Sequence, residues 1–448
     1  MKKYEIVINT IKEMVERGEV KQKERLPSIR KMAERLNYNK STIIKAYQQL
    51  EAEHYIYTIP KGGYYLVDML EGEKDSVSEI DFSLTRPDER LLPYHEFNHC
   101  FNKAIDTYKH VVFLDGDPEG LTSLRETLVT HLSSQQVFTK TENVYITNGS
   151  QQAINLLTQM PFPGGREGIL VEEPGYDTMI ELATLHGKPL YTITRHFEGI
   201  DLHELERLFK EEDIKFFFTM PRFQNPLGTS YAEKVKKEIV RLACQYDVFI
   251  VEDDCLADLE FNKKCLPLHY YDINDRVIYL KSFAKSFIPG IRLGAVVLPK
   301  ALQETFKRYK HCSDLFTSVF NQGALEIFIR SGLYEKHCER IQDVYRKKME
   351  MITNYLKYHP KDGVTFKIPR SGVYMWLHLD KDIPIEKLFE NLLKEKVLLK
   401  QGLPYFVNKD HYDNGFRVCT YNLDDESLKR GLKILLDEIQ KLKNSISK

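Results

Sequence analysis

The feature that most constrains this chain is a rhythm between residues 143 and 299: seven short apolar runs with helical stretches between them. The runs are NVYIT (143–147), GILVE (168–172), PLYTIT (189–194), KFFFTM (215–220), VFIVED (248–253), VIYLKS (277–282) and LGAVVLP (293–299). They are nearly continuous in apolar residues rather than alternating, so each strand needs cover on both faces. Helical periodicity at 151–160, 201–209 and 233–245 supplies that cover. This alternation predicts an α/β fold around a mostly parallel central sheet. Such sheets bind ligands beyond the carboxyl ends of their strands.

Five motifs fall at those ends. Gly149-Ser150-Gln151 follows the first run and opens a helix, whose free N–H groups and Ser150 hydroxyl suit a phosphate. Tyr176, in VEEPGYDTM, follows the second run, where its ring can stack on a planar ligand. Asn225-Pro226 follows KFFFTM and offers an amide to a ring hydroxyl. The fifth run ends in Glu252-Asp253-Asp254, a carboxylate source for a protonated ring nitrogen. The sixth leads into YLKSFAKSFIPGIRLG (279–294), which holds Lys281, Ser282, Lys285 and Arg292. Singly, these also read as a helix cap, a core tyrosine, an acidic loop and solvated lysines. Together they converge on one ligand with a phosphate, an aromatic ring, a hydroxyl, a ring nitrogen and an aldehyde, which is pyridoxal 5′-phosphate. Ser-x-x-Lys also marks the serine nucleophile of penicillin-binding proteins, but those need Ser-Asp-Asn and Lys-Thr-Gly as well. Neither tripeptide occurs here.

Over roughly residues 80–446 the order of these motifs resembles the PLP-dependent transferases of fold type I, the aminotransferases. The resemblance implies that Lys285 forms the Schiff base with the cofactor, its amine made reactive by desolvation and a neighbouring cation. It implies Asp253 on the ring nitrogen, Asn225 on the 3-hydroxyl, Tyr176 stacked on the ring, and Ser150, Gln151, Ser282 and Arg292 around the phosphate. Arg417, in NGFRVCTYN, is implied as the fork for an amino acid's α-carboxylate. Lys281 is expected to be solvated.

Residues 1–68 are a different kind of sequence. They carry 13 Lys+Arg against 9 Asp+Glu, whereas the remainder carries 51 against 56. A basic module on a mildly acidic body suggests a partner of its own. Ile6, Ile8, Ile11, Met14 and Val15 predict a helix over 3–17. Pro27 and Ser28 start a second, with Ile29, Met32, Ala33 and Leu36 inward. After the turn Asn37-Tyr38-Asn39, Ser41 is expected to cap a third, with Ile43, Ala46, Tyr47 and Leu50 inward. YIYTIPKGGYYLVD (55–68) alternates around Lys61-Gly62-Gly63 like a hairpin. Three helices and a hairpin make a winged helix-turn-helix. The stretch LPSIRKMAERLNYNKSTIIKAYQQLEAEHYIYTIPKGGYYLV resembles the DNA-binding domain of the GntR family. The resemblance implies double-stranded operator DNA as partner. Lys40, Ser41 and Thr42, with Lys45 behind them, open the recognition helix. Arg30, Lys61 and Gly62 meet the backbone or minor groove. Lys40 stands where the family usually has arginine, which loses a bidentate fork for guanine.

Residues 69–80, MLEGEKDSVSEI, read as a linker, so the expected order is a winged helix-turn-helix over 1–68, the linker, and an aminotransferase-like domain over 81–448. That pairing resembles the MocR/GabR family of bacterial transcription regulators. It implies a PLP-dependent regulator that senses the cofactor, or an amino acid or amine effector, as a head-to-tail homodimer in the cytoplasm. Three places depart from many relatives. Cys255 stands for a tyrosine near the ring hydroxyl, and Asp115 stands for a tyrosine aimed at the partner's phosphate. DTMIE, after Tyr176, holds no arginine. The first two lean towards weak turnover, so a regulator, a half-reaction sensor and a working aminotransferase of amino acids all remain open. Seven scattered cysteines without C-x-x-C spacing argue against a disulfide framework or zinc site and fit a reducing cytoplasm. No apolar run approaches the ~18 residues of a membrane span.

Overall fold

The computed structural model describes residues 3–17, 19–20, 25–52, 55–59, 63–66, 79–260, 265–359, 362–369 and 372–446. The chain divides into two units, Met1–Ser78 and Glu79–Lys448.

In the first unit, α1 (Lys3–Glu16), α2 (Ile29–Leu36) and α3 (Lys40–Ala52) precede an antiparallel hairpin of β1 (Ile56–Ile59) and β2 (Gly63–Leu66). Val7, Ile8, Ile11 and Met14 form the inner face of α1, with Ile6 left exposed at 36%. Ile8, Ile11 and Met14 are thus as expected, Val15 packs beside them, and Val7 takes the place expected of Ile6. The inner face of α3 is as expected: Ile43, Ala46, Tyr47 and Leu50 are fully buried. Ser28 caps α2 by accepting from the Lys31 N–H, and Asn37 ends it in the left-handed region at φ 54°. Ser41 is not the cap of α3. The carbonyl of Asn39 accepts from the Thr42 and Ile43 N–H groups, so the helix begins one residue before Ser41. The Tyr47 hydroxyl donates to the Pro27 carbonyl at 2.6 Å, and its ring lies edge-on to Tyr64 at 4.7 Å. One side chain of α3 therefore holds both the entry of α2 and the hairpin. Lys61, Gly62 and residues 69–78 lie outside the described residues.

In the second unit all seven expected strands form: β4 (Val144–Thr147), β5 (Gly168–Glu173), β6 (Leu190–Thr194), β7 (Ile214–Thr219), β8 (Phe249–Asp253), β9 (Val277–Ser282) and β10 (Gly294–Val297). β3 (Ile80–Asp81) precedes them and takes the last expected linker residue, Ile80, into the body. The sheet order is β4-β10-β9-β8-β7-β5-β6. Only β10 runs antiparallel to its neighbours, so the carboxyl ends of the other six lie on one edge. Every residue of β4, β5, β7, β8, β9 and β10 is buried, as continuous apolar runs require.

The C-terminal part adds a four-stranded antiparallel sheet, Val364–Phe366, Tyr374–Leu379, Gly415–Cys419 and Lys400–Gln401 in that order. β3 pairs in parallel with Val397–Leu398, and the Phe82 carbonyl accepts from the Cys419 N–H. These bonds stitch residues 80–85 to the C-terminal part and set Ser83 and Thr85 beside the main sheet's carboxyl edge.

Leu50→Ala is expected to destabilise the N-terminal unit by about 2–5 kcal/mol. Urea titration would show an earlier first transition with the body's transition unmoved.

Candidate functional site

At the carboxyl edge lies a cavity of ≈ 300 Å³ lined by, among others, Ser150, Tyr176, Asn225, Asp253, Ser282, Lys285 and Arg417. Seven of the expected site residues therefore meet in one place. Gln151 and Arg292 stand beside it. The Gln151 side-chain oxygen accepts from the Tyr176 hydroxyl at 3.3 Å. Gly149, at φ 72°, opens the helix Ser150–Gln159, and a Cβ on it would lie 2.9 Å from Arg292 Nη2. A guanidinium and free helix N–H groups thus share one corner, the arrangement a phosphate needs. Tyr176 stacks on Phe218 at 6.1 Å and 20°, which fixes its ring plane at the cavity wall.

Lys285 projects from the turn after β9, half-buried, and donates to the Thr85 carbonyl at 2.7 Å and the Thr85 hydroxyl at 2.9 Å. Burial lowers its pKa below the ordinary lysine value. The Arg417 charge adds to this, while Cys255, Cys419 and Asp253 oppose it. Asp253 ends β8, and its Oδ1 is buried with no hydrogen-bond partner among the described residues. Burial, together with the Asp254 charge, pushes its carboxyl up to about 7. An orphaned carboxylate oxygen at this depth is what a protonated ring nitrogen would satisfy. Arg417 is buried, donating to the Asn225 side-chain oxygen at 3.1 Å and the Ser83 carbonyl at 2.7 Å. Its Nε has no partner among the described residues, and its guanidinium lies 5.2 Å and 5.7 Å from the Tyr374 and Tyr405 rings.

Lys281 is not solvated. It is fully buried and ion-paired to Asp258 at 2.7 Å. Residue 281 faces the sheet's interior, so its charge needs a buried partner. Asp258 also accepts from the Ser286 hydroxyl, from Tyr334 at 2.8 Å and from Gln135 at 2.6 Å. Burial raises the Asp258 carboxyl, but the Lys281 charge, His131 and the hydrogen bonds from Lys281 and Ser286 together outweigh that and hold it well below the usual range. One carboxylate therefore grips the residues on both sides of the Lys285 turn.

In the first unit, Lys40, Ser41 and Lys45 are exposed on α3 and Thr42 is half-buried. Lys45 sits 4.8 Å over the Tyr4 ring, and Arg30 pairs with Glu34 at 3.1 Å. The start of α3 thus presents lysine and hydroxyl groups to solvent.

Residues 92–435 match the aminotransferase class I and II family, and residues 3–66 match the bacterial regulatory proteins of the gntR family. The uncharacterized HTH-type transcriptional regulator YcxD of Bacillus subtilis is 43% identical over 444 residues, 98% of this chain and 100% of that protein. The chain belongs to this family of regulators, a GntR helix-turn-helix joined to a class I/II aminotransferase domain. Its body is similar to Pyrococcus horikoshii kynurenine aminotransferase, solved with PMP (TM-score 0.76, 27% identity, 81% of this chain and 91% of that one). It is likewise similar to LysN, the α-aminoadipate aminotransferase of Thermus thermophilus, solved with N-(5′-phosphopyridoxyl)-L-leucine (TM-score 0.74, 28% identity, 82% and 93%). Pyridoxal phosphate is the cofactor that this regulator's pocket fits, by family and by donor set.

Sequence reasoning missed Ser83, Thr85, Asp258 and Lys400. Thr85 lies 200 residues from Lys285 in the chain and belongs to no motif, so only the β3 pairing reveals it. Asp258 could have been suspected from Lys281, since a lysine inside an apolar strand calls for a buried anion.

Asp258→Asn leaves Lys281 buried without its counter-charge and is expected to cost about 3–5 kcal/mol, measured by urea unfolding. Asp253 carries a pH signature in the cofactor-free protein. Its folded pKa, about 7, lies above the ordinary 3.8, so its proton stabilises the fold at low pH. That contribution is lost as pH rises from about 4 to about 7. Asp253→Asn is expected to flatten part of that loss in melting temperature across the same window.

Proposed function

We propose that this regulator binds operator DNA in a way set by its pyridoxal phosphate pocket, which senses the cofactor and an amino-acid effector. What carries the reading is the meeting of Lys285, Asp253 and Arg417 in one cavity, in a chain that also has a winged helix-turn-helix. The DNA-binding module would span 1–68, followed by a linker and the sensing body over 81–448.

Lys285 supplies an amine shielded from water, so a larger fraction is neutral and nucleophilic than for a surface lysine. Thr85 orients it through two acceptors. Asp253 would hold a proton on the ring nitrogen, Asn225 would take the 3-hydroxyl through its amide, and Tyr176 would cover the ring. Ser150, Gln151, Ser282 and Arg292 would hold the phosphate. Bound there, the cofactor supplies an electrophilic carbonyl and an electron-withdrawing ring. Arg417 would fork onto an effector's α-carboxylate, using the unpartnered edge of its guanidinium.

On DNA, Lys40, Ser41, Thr42 and Lys45 would enter the major groove, while Arg30, Lys61 and Gly62 touch the backbone or minor groove. A head-to-tail homodimer would bring two such modules to repeated half-sites. Val111, Phe113 and Leu114 are 49%, 68% and 66% exposed around Asp115, an apolar patch that a second copy would cover. A working aminotransferase is the second reading, favoured by the same Lys285, Asp253 and Arg417. Regulation requires that the ligand favour one arrangement of the protein over another, because equal binding to both switches nothing.

The test is binding of the full chain to labelled DNA from upstream of its own gene at fixed salt, with and without pyridoxal phosphate. Sequence-specific binding that changes with the cofactor in wild type but not in Lys285→Ala is expected. Binding no better than to scrambled DNA under every condition would overturn the regulator reading and favour sustained transamination. Trp376 is the chain's one tryptophan and lies in register with Arg417 on the neighbouring strand. Cofactor loading is therefore expected to quench its fluorescence, less so in Lys285→Ala.

A further inference from the structure

The cavity holds two charged groups for which the proposed cofactor and α-carboxylate contacts have no use. Lys400 and Asp177 both line it. Lys400 is the direct cross-strand partner of Arg417 in an antiparallel pair, so both side chains leave the same face of the sheet. Two cations thus project side by side into one cavity.

The pair at the mouth is uneven. Asp177 opens the helix Asp177–Leu185, and its Oδ1 accepts from the Thr178 N–H at 3.0 Å. A carboxylate there is also favoured by the helix dipole. Its side chain is 19% exposed against 39% for Lys400. Lys400 reaches the other oxygen at 3.3 Å, longer than the roughly 2.7–2.9 Å of a strong charge-assisted bond. Asp177 is thus answered twice, while Lys400 holds one loose partner among the described residues and keeps donors to spare. A ligand ammonium would compete with Lys400 for Asp177 and be repelled by it. A ligand carboxylate would take the ammonium and leave Asp177 with its helix contacts.

We propose that Lys400 selects an amino-acid effector with a second, distal carboxylate, while Arg417 takes the α-carboxylate. This rests on the reading of the cavity as a cofactor and effector site. The effector class is therefore dicarboxylic amino acids, in preference to their amides or to basic amino acids. Asp177 acts as the resting partner that keeps Lys400 aimed into the cavity.

The experiment uses the full chain loaded with pyridoxal phosphate, loading being read by visible absorbance. Binding of L-glutamate, L-glutamine and L-ornithine in their 2-methyl forms, which have no α-proton to lose, is measured by calorimetry and Trp376 fluorescence. Wild type is expected to bind the glutamate form about two- to fivefold tighter than the glutamine form, the reach of one part-exposed ion pair. Lys400→Gln is expected to bring that ratio to about one without weakening the glutamine form, and Lys400→Arg to keep the preference. Equal binding of the two forms by wild type, or a preference that survives in Lys400→Gln, overturns the inference. Preference for the ornithine form overturns it too and gives the selection to Asp177. A loaded protein that binds none of the three overturns the amino-acid effector reading, and the selection falls with it. A chain that takes up no cofactor overturns the reading of the site itself.

Discussion

Lys285 holds its amine away from bulk water, with two oxygens of Thr85 as its hydrogen-bond partners and, among the described residues, no carboxylate ion-paired to it. A lysine in that setting loses part of its charge stabilisation, so a larger share of its amine is neutral than for a surface lysine. The setting has to be enforced from several directions. The parallel sheet delivers the turn after β9 to the carboxyl edge, and β3 delivers Thr85 from the far end of the chain. Asp258 pins Lys281 before the turn and Ser286 after it, and His337 donates to the Ser286 carbonyl. The ion pair behind the turn is thus part of the site although it touches no ligand.

Much of this was legible in the sequence, for a physical reason. Strands buried on both faces must be continuously apolar, so all seven were visible as runs, and chemistry at their ends was visible as polar residues that break the runs. Seven of the expected site residues line one cavity because strand ends converge in a parallel sheet. Other features have no such local signature. The antiparallel direction of β10 follows from where the chain returns, not from its composition. Ser83 and Thr85 are ordinary residues made important by a pairing more than 300 residues apart, between β3 and Val397–Leu398. Lys281 read as solvated because lysines usually are, whereas its place inside a fully buried strand was the stronger clue. At α3 the hydroxyl of Ser41 suggested a cap, but the Asn39 carbonyl had already begun the helix.

The two units pose a coupling problem that the pocket's chemistry can answer. Among the described residues, the charged side chains lining the cavity are Lys285, Lys400, Arg417, Asp177 and Asp253. Cofactor and effector would change the partners of all five. Each change alters which strands and helices are held together there: Arg417 ties the C-terminal sheet to Asn225 and to Ser83, and Lys400 ties it to the helix that begins at Asp177. An effector that meets the unpartnered edge of Arg417 and takes over Lys400 exchanges the Lys400–Asp177 contact for a protein–ligand one at that seam. Such an exchange can favour one arrangement over another, which is the requirement for a switch.

Cys255 bears on whether that seam serves sensing or turnover. It is buried beside Asp253, and burial, reinforced by the Asp253 charge, raises its thiol well above the ordinary value. The thiol therefore stays protonated, and a thiol is a weak hydrogen-bond donor. On the proposed reading the ring's 3-hydroxyl then relies on Asn225, whose side-chain oxygen already accepts from Arg417 and whose amide has no partner among the described residues. On the same reading, holding the cofactor would draw chiefly on the phosphate corner, on Lys285 and on Asp253, whose carboxyl Cys255 supports through hydrogen bonds. Turnover asks more, because the ring's electronics must be tuned by every polar contact around it. A pocket that keeps the binding contacts and weakens one tuning contact loses catalytic power faster than affinity, and that is the direction in which a sensor departs from an enzyme.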